Sequence, residues 1–254
     1  MARRTLDTQL QDILTLLLSL GHLVEQALGQ ALDAVEHNDQ AMCGLVIASD
    51  AFIDDLRREV ERLALRSLTL QQPLGVRDLR FLSSVPSIAG DLERIGDNAA
   101  GIAKLLIRMD PLRRKDVRFL TVQATRLSGD THRRASSHMV SETSIIQEVL
   151  ALGQEARRMV QATINVLASN DAQEARRLWQ EDDVIDVRYH MVRHDIMHLL
   201  SAMHAIPALE QDGLVLQRVT YWLWIAHNLE RVGDHCSTIC KRMVFFLEGQ
   251  TEIT

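Results

Sequence analysis

Asp91-Leu92-Glu93-Arg94-Ile95-Gly96-Asp97 recurs further along the chain as Asn228-Leu229-Glu230-Arg231-Val232-Gly233-Asp234. Five of the seven positions are identical, and Ile95 against Val232 is a conservative exchange. Each copy lies in a long run of apolar residues at helical spacing, so both read as helical. Glu93 with Asp97, and Glu230 with Asp234, then stand four residues apart on one helix face, and each forms a two-carboxylate patch. A solvated helix face has no need to repeat such a patch in both halves of a chain. The repetition is the first sign that the patch has a job.

Working outward from the first copy, three apolar-periodic runs fill the first half. Leu6 to about His37 carries Leu10, Ile13, Leu17, Leu20, Val24, Leu28, Leu32 and Val35 at helical spacing. Asn38-Asp39 breaks it, and either residue can cap the next helix. The second run goes from about Gln40 to Leu70 and is ended by Gln72-Pro73-Leu74-Gly75. The third, about Val76 to Met109, carries the motif. The second half repeats the plan: a run through Val149, Leu152, Met159, Ile164 and Leu167 ends at Asn170-Asp171, another spans about Ala172 to Met203, and the last about Leu214 to Leu247. The two Asn-Asp breaks are 132 residues apart and the two motifs 137, which places about five extra residues in one loop of the second copy. Helices of this length reach roughly 45 Å and can bury a common seam. The expected fold is all-α, two tandem three-helix bundles related by an internal repeat. Residues 1–110 form the first bundle, 111–141 a basic insertion and 142–254 the second. The insertion carries Arg113, Arg114, Lys115, Arg118, Arg126, Arg133 and Arg134 against Asp116 and Asp130. It reads as a solvated helical linker broken at Ser128-Gly129-Asp130, with docking to an acidic partner or an anionic surface as the alternative.

Composition agrees. Of 254 residues 46% are apolar but only 4% aromatic, with four prolines and twelve glycines, too few for a turn-rich β protein. A net charge of −6 argues against general nucleic-acid affinity. Three cysteines without a framework spacing suit a reducing compartment. Asp7, Gln9, Gln11 and Asp12 interrupt any signal-peptide core, and no apolar stretch is long enough to span a bilayer. The expectation is a soluble cytoplasmic protein.

The 132-residue offset exposes a second match, Asp50 with Asp182 and Asp54 with Asp186. The second helix of each half therefore also carries acids four residues apart. If second and third helices are neighbours, Asp50, Asp54, Glu93 and Asp97 converge in one bundle, and Asp182, Asp186, Glu230 and Asp234 in the other. Four close carboxylates cannot all stay ionised unless cations sit among them. An all-oxygen set suits hard divalent or trivalent ions, Mg, Mn or Fe, better than zinc. A single such pair is usually a solvated face or a salt-bridge partner, whereas four at matching places are better evidence for metal. Gly96 and Gly233, costly inside a helix, suggest close approach of another helix or a ligand. Arg94 and Arg231 are expected to pair with local acids. His190, His194 and His198 continue the acid line, but their counterparts are Arg58, Arg62 and Arg66, so an acid-then-base face explains both copies better than ligation. Cys236 and Cys240 match Ala99 and Ala103 and are expected in the core.

These residues resemble the PhoU family of phosphate-signalling regulators. The resemblance rests on the two motifs, on Gln72-Pro73 followed by Asp78-Leu79-Arg80, on Met159 to Asp171 leading into Glu181-Asp182, and on Cys236 to Lys241 with Glu248-Gly249-Gln250. It covers nearly the whole chain except residues 112–140. It implies two tandem three-helix bundles, often dimeric, with metal at the eight acids named above. It further implies repression of phosphate-starvation signalling through a sensor histidine kinase and through the ATPase of the high-affinity phosphate ABC transporter. The alternatives are a carboxylate-bridged di-metal enzyme on a helix bundle, or a purely structural scaffold. Such enzymes use Glu-x-x-His, and no Glu here has His three residues later. There is also no P-loop, GxSxG or CxxC.

Overall fold

The structure, a computed structural model, describes residues 2–70, 73–113, 122–126, 136–181, 183–204 and 213–249. The elements in chain order are α1 (Ala2–His37), α2 (Gln40–Leu70), α3 (Val76–Arg113), β1 (Val122–Arg126), β2 (Ser136–Val140), α4 (Glu142–Ser169), α5 (Ala172–Gln180), α6 (Asp183–His204) and α7 (Gly213–Glu248). Helices α1, α2 and α3 pack on one another as the first bundle. Helices α4 and α7, with α5 and α6 end to end as the third member, make the second.

The Asn-Asp breaks do the same work in both halves. Asn38 and Asn170 take left-handed backbone angles, φ 53° and 54°, which ends each helix and turns the chain. The next residue then caps the following helix. Asp39 Oδ1 accepts from the amides of Ala41 and Met42 at 2.9 and 3.0 Å. Asp171 Oδ1 accepts from Gln173 and Glu174 at 2.9 and 3.0 Å. Both satisfy amides that have no partner within the helix.

Two expectations need correction. The second helix of the second half is not continuous from Ala172, because it closes at Glu181, whose amide donates to the Leu178 carbonyl at 3.2 Å, and restarts at Asp183. Glu181, Asp182 and Asp183 place three carboxylates side by side, which suits the start of a helix and not its middle. The insertion is not helical where it is described. Strands β1 and β2 pair antiparallel, Val122 opposite Val140 and Arg126 opposite Ser136. Val122, Thr125 and Val140 are β-branched, and nothing in the segment repeats at helical spacing. The basic side chains of 113–138 lie outside the description. Pro86 sits inside α3, which runs through it although the Leu82 carbonyl loses its helical donor there.

The bundles lie against each other along α3 with α7 and α1 with α4, and the buried residues of both halves form one continuous core. Among the described residues no helix is long and apolar enough to cross a membrane.

Candidate functional site

Helices α2 and α3 run antiparallel through a short connection. Their buried stripes, Cys43, Val46, Ile53 and Val60 on α2 with Leu92, Ile95 and Ala99 on α3, fix the rotation of each helix. That rotation leaves the acids at the outer rim of the seam, with Asp54 level with Glu93 and Asp50 level with Asp97. Gly96 makes this closeness possible, since a Cβ there would lie 2.8 Å from Ile53 Cδ1 and 3.7 Å from Val24 Cγ2. The expected close approach at this glycine is therefore present, and the approaching groups are side chains of α2 and α1.

The carboxylates act on one another. Partial burial raises the pKa of Glu93, Asp97 adds to it, and Asp54 is near enough to hydrogen-bond it once protonated. Asp97 is raised by burial and then by Asp50, against the lowering effect of Lys104. In the second bundle, burial raises Glu230, Asp234 and Asp186 add to it, and His227 opposes them. Asp186, Glu230 and Asp234 are thus brought together as Asp54, Glu93 and Asp97 are. Asp182, the fourth acid of that set, lies outside the described residues.

Three basic side chains that the sequence reading did not single out flank the acids. Arg57 Nε lies 3.9 Å from Glu93 Oε1 and 3.9 Å from Asp54 Oδ1. Lys104 Nζ lies 3.8 Å from Asp50 Oδ2. His227 Nδ1 lies 3.0 Å from Glu230 Oε2. Their spacing could have revealed two of them, because Arg57 follows Asp54 by three and His227 precedes Glu230 by three, both within reach on a helix.

Other expectations resolve simply. Arg94 Nη1 is 3.1 Å from Asp91. Cys236 and Cys240 are fully buried. Arg58 reaches back one turn to Asp54 at 3.3 Å, the acid-then-base face. In the other copy the rings of His194 and His198 lie side by side at a tilt of 55°, 4.4 Å between centroids. The first residue of the motif was not foreseen as functional. Asp91 is buried, and His235 Nδ1 crosses from α7 to it at 3.1 Å. The repeat puts Asn228 and Asn98 at the same two places in the other sense, so the acid–imidazole pair occurs in one orientation only.

Among the described residues no three His, Cys, Asp or Glu side chains close into a ready metal cage. The donor chemistry nonetheless fits a hard cation at the rims, with oxygen donors paired across two helices and carboxylates that resist ionising together.

A family model described as "PhoU domain" matches residues 17–106 and again 149–243. A phosphate-specific transport system accessory protein PhoU homolog from Clostridium acetobutylicum is 24% identical over 98% of this chain and 97% of its own length. A protein of the same name from Streptococcus pneumoniae is 28% identical over the same shares. The crystal structure of the phosphate transport system regulatory protein PhoU from Streptococcus pneumoniae superposes with a TM-score of 0.75 at 25% identity, covering 98% of this chain and all of that one. PhoU from Pseudomonas aeruginosa matches equally well, TM-score 0.75 over 96% and 99%.

Proposed function

Because this chain belongs to the PhoU family, whose domain it carries twice, we propose that it is a non-enzymatic regulator of phosphate homeostasis. In this reading it holds down high-affinity phosphate uptake and phosphate-starvation two-component signalling. It acts in the cytoplasm, as a homodimer, by docking on a sensor histidine kinase and on the ATPase of a phosphate ABC transporter. The observation that carries the reading is correspondence over almost the full length of both chains to relatives named as accessory proteins of the phosphate-specific transport system.

The placement of the acids supports a docking protein over the carboxylate-bridged enzyme. Di-metal enzymes on helix bundles draw their ligands into the bundle interior. Here Glu93 and Glu230 keep 23% and 21% of their side-chain surface and stand at the outer rim. Residues Asp50, Asp54, Glu93 and Asp97, with Asp182, Asp186, Glu230 and Asp234, would hold Mn, Mg or Fe. Such an ion supplies positive charge to an otherwise acidic face. The acids themselves supply the oxygen donors, and the seam between two helices fixes their spacing.

Deleting the gene in its own host and measuring phosphate uptake in phosphate-rich medium tests the proposal. Uptake and starvation-gene expression should both rise and return to normal when the gene is restored. Unchanged uptake and expression in the deletion strain would reject it.

A further inference from the structure

We propose that the cleft over α3, between α2 of its own bundle and α7 of the other, binds a small organic anion carrying a phosphate or carboxylate group, held by Arg57, Arg94 and Arg242. This goes beyond the regulatory reading above and is independent of it.

The cleft is opened by small residues. Pro86, Ser87 and Gly90 share the outward face of α3 with Arg94, at helical spacing. A Cβ on Gly90 would meet nothing within 4 Å. Arg57 and Glu61 of α2 form one wall, Thr238 and Arg242 of α7 the other, around a volume of about 470 Å³. Small-molecule sites are typically about 300–1,000 Å³. The second repeat fills the same place. The matching residues of α7 are Leu223, Trp224 and His227. Tyr189 replaces Arg57 and brings its ring toward His227, 6.1 Å between centroids, and Leu105 stands in the place of Arg242. The opening is therefore set by the side chains of one half and does not follow from the bundle fold itself.

Charge decides the class of ligand. Three arginines and three acids line the cleft, but the acids are engaged from within. Glu61 accepts from Arg57 Nη1 at 2.8 Å. Asp91 keeps 7% of its side-chain surface against 59% for Arg94, and it is shared by Arg94 and His235 at 3.1 Å each. Glu93 stands at the α2 edge, 3.9 Å from Arg57 Nε. That Nε is buried and makes no hydrogen bond. Arg242 is exposed and, among the described residues, pairs with no carboxylate. A guanidinium carries more donors than one carboxylate contact uses, so the charge that a ligand reaches from solvent is positive. The same planar fork matches the paired oxygens of a phosphate or carboxylate.

Isothermal titration calorimetry of the chelator-treated full chain tests the proposal. The probes are AMP, glucose 6-phosphate, citrate and inorganic phosphate, with adenosine and glucose as neutral controls. At least one organic anion should bind, one per chain, and its neutral control should give no heat. AMP and glucose 6-phosphate set against citrate separate phosphate from carboxylate recognition. Arg242→Gln, a change at an exposed residue, should weaken binding by about tenfold or more, the loss of a charge-assisted hydrogen bond. Ser87→Trp with Gly90→His, the residues of the second repeat, should abolish it, with folding followed by circular dichroism. Binding of inorganic phosphate alone would overturn the assignment to an organic anion. No anion bound at millimolar concentration would overturn the site, and so would binding that Arg242→Gln leaves unchanged.

Discussion

Burial and the neighbouring Asp97 both work against ionising Glu93, and the consequence is a pH effect with a definite sign. A carboxyl whose pKa is raised on folding binds its proton more tightly in the folded chain. Its contribution to stability is complete below the ordinary glutamate value and is lost as pH rises through the raised one. Asp97 and Glu230 act in the same direction. The metal-free chain should thus lose stability from mildly acidic to neutral pH. Glu93→Gln should flatten that loss and stabilise the neutral protein by roughly 0.2–0.5 kcal/mol, the size of one like-charged pair on a helix. Urea unfolding in chelator at both pH values measures it, and a Gln variant weaker than wild type at neutral pH would show that the Arg57 contact dominates. At the same scale, Gly96 and Gly90 should respond oppositely to alanine. At Gly90 a methyl meets nothing within 4 Å, so Gly90→Ala should gain about 1 kcal/mol of helix propensity. At Gly96 the same gain is set against overpacking on Ile53, which costs about 1–3 kcal/mol, and the change should be neutral to destabilising. Chemical denaturation of the two variants side by side decides it.

At the scale of elements, the caps carry the repeat. Asp39 and Asp171 each accept two amides at the first turn of a second helix. Asp39→Ala and Asp171→Ala should each cost about 1 kcal/mol, and the double variant about the sum, since the sites are far apart. A double variant no weaker than either single would show that the halves do not share one unfolding transition. These boundaries were legible because they depend on local chemistry, a left-handed Asn followed by an acid. The bounds of α2, at Gln40 and Leu70, agree with the sequence reading for the same reason. The break at Glu181 was not legible, because the apolar spacing continues through it and only the three adjacent acids mark it. The hairpin of β1 and β2 escaped because two five-residue strands leave a weak pattern. For the candidate site, spacing gave the nearness across helices of Asp50 and Asp54 to Glu93 and Asp97, and of Asp186 to Glu230 and Asp234. It did not give Arg57, Lys104 or His227 as their partners, since any charged residue on a helix surface has several candidates and only the packed seam chooses among them.

At the scale of the molecule, the two halves are joined more closely than the word tandem suggests. Helix α3, the motif helix of the first bundle, packs along α7, the motif helix of the second, and Asp91 with His235 closes a buried polar contact between them. On the other side α1 crosses α4 at glycines. A Cβ on Gly21 would meet Ile164 at 2.9 Å, and one on Gly153 would run into Leu32. Glu25 holds Arg157 and Gln161 of α4 at 2.7 and 2.8 Å across the same crossing. A bundle separated from its neighbour would expose apolar surface along two helices and leave Asp91 or His235 without the other. Buried apolar area is the main source of stability, and a polar group stripped of its partner costs about 1–3 kcal/mol. The full chain should therefore unfold in one cooperative transition, seen together by the fluorescence of Trp179, Trp222 and Trp224, all in the second bundle, and by circular dichroism over both. Residues 142–254 alone should be only marginally folded or should associate through the uncovered faces of α4 and α7. Sedimentation and denaturation of that fragment provide the check, and a monomeric fragment as stable as the full chain would mean that the bundles fold independently. One cooperative unit has a consequence for the proposed regulatory role. Whatever alters the rim of α6 and α7 acts on α7, and α7 is in contact with α3, so a change at one patch can reach the other through the shared core with no separate hinge.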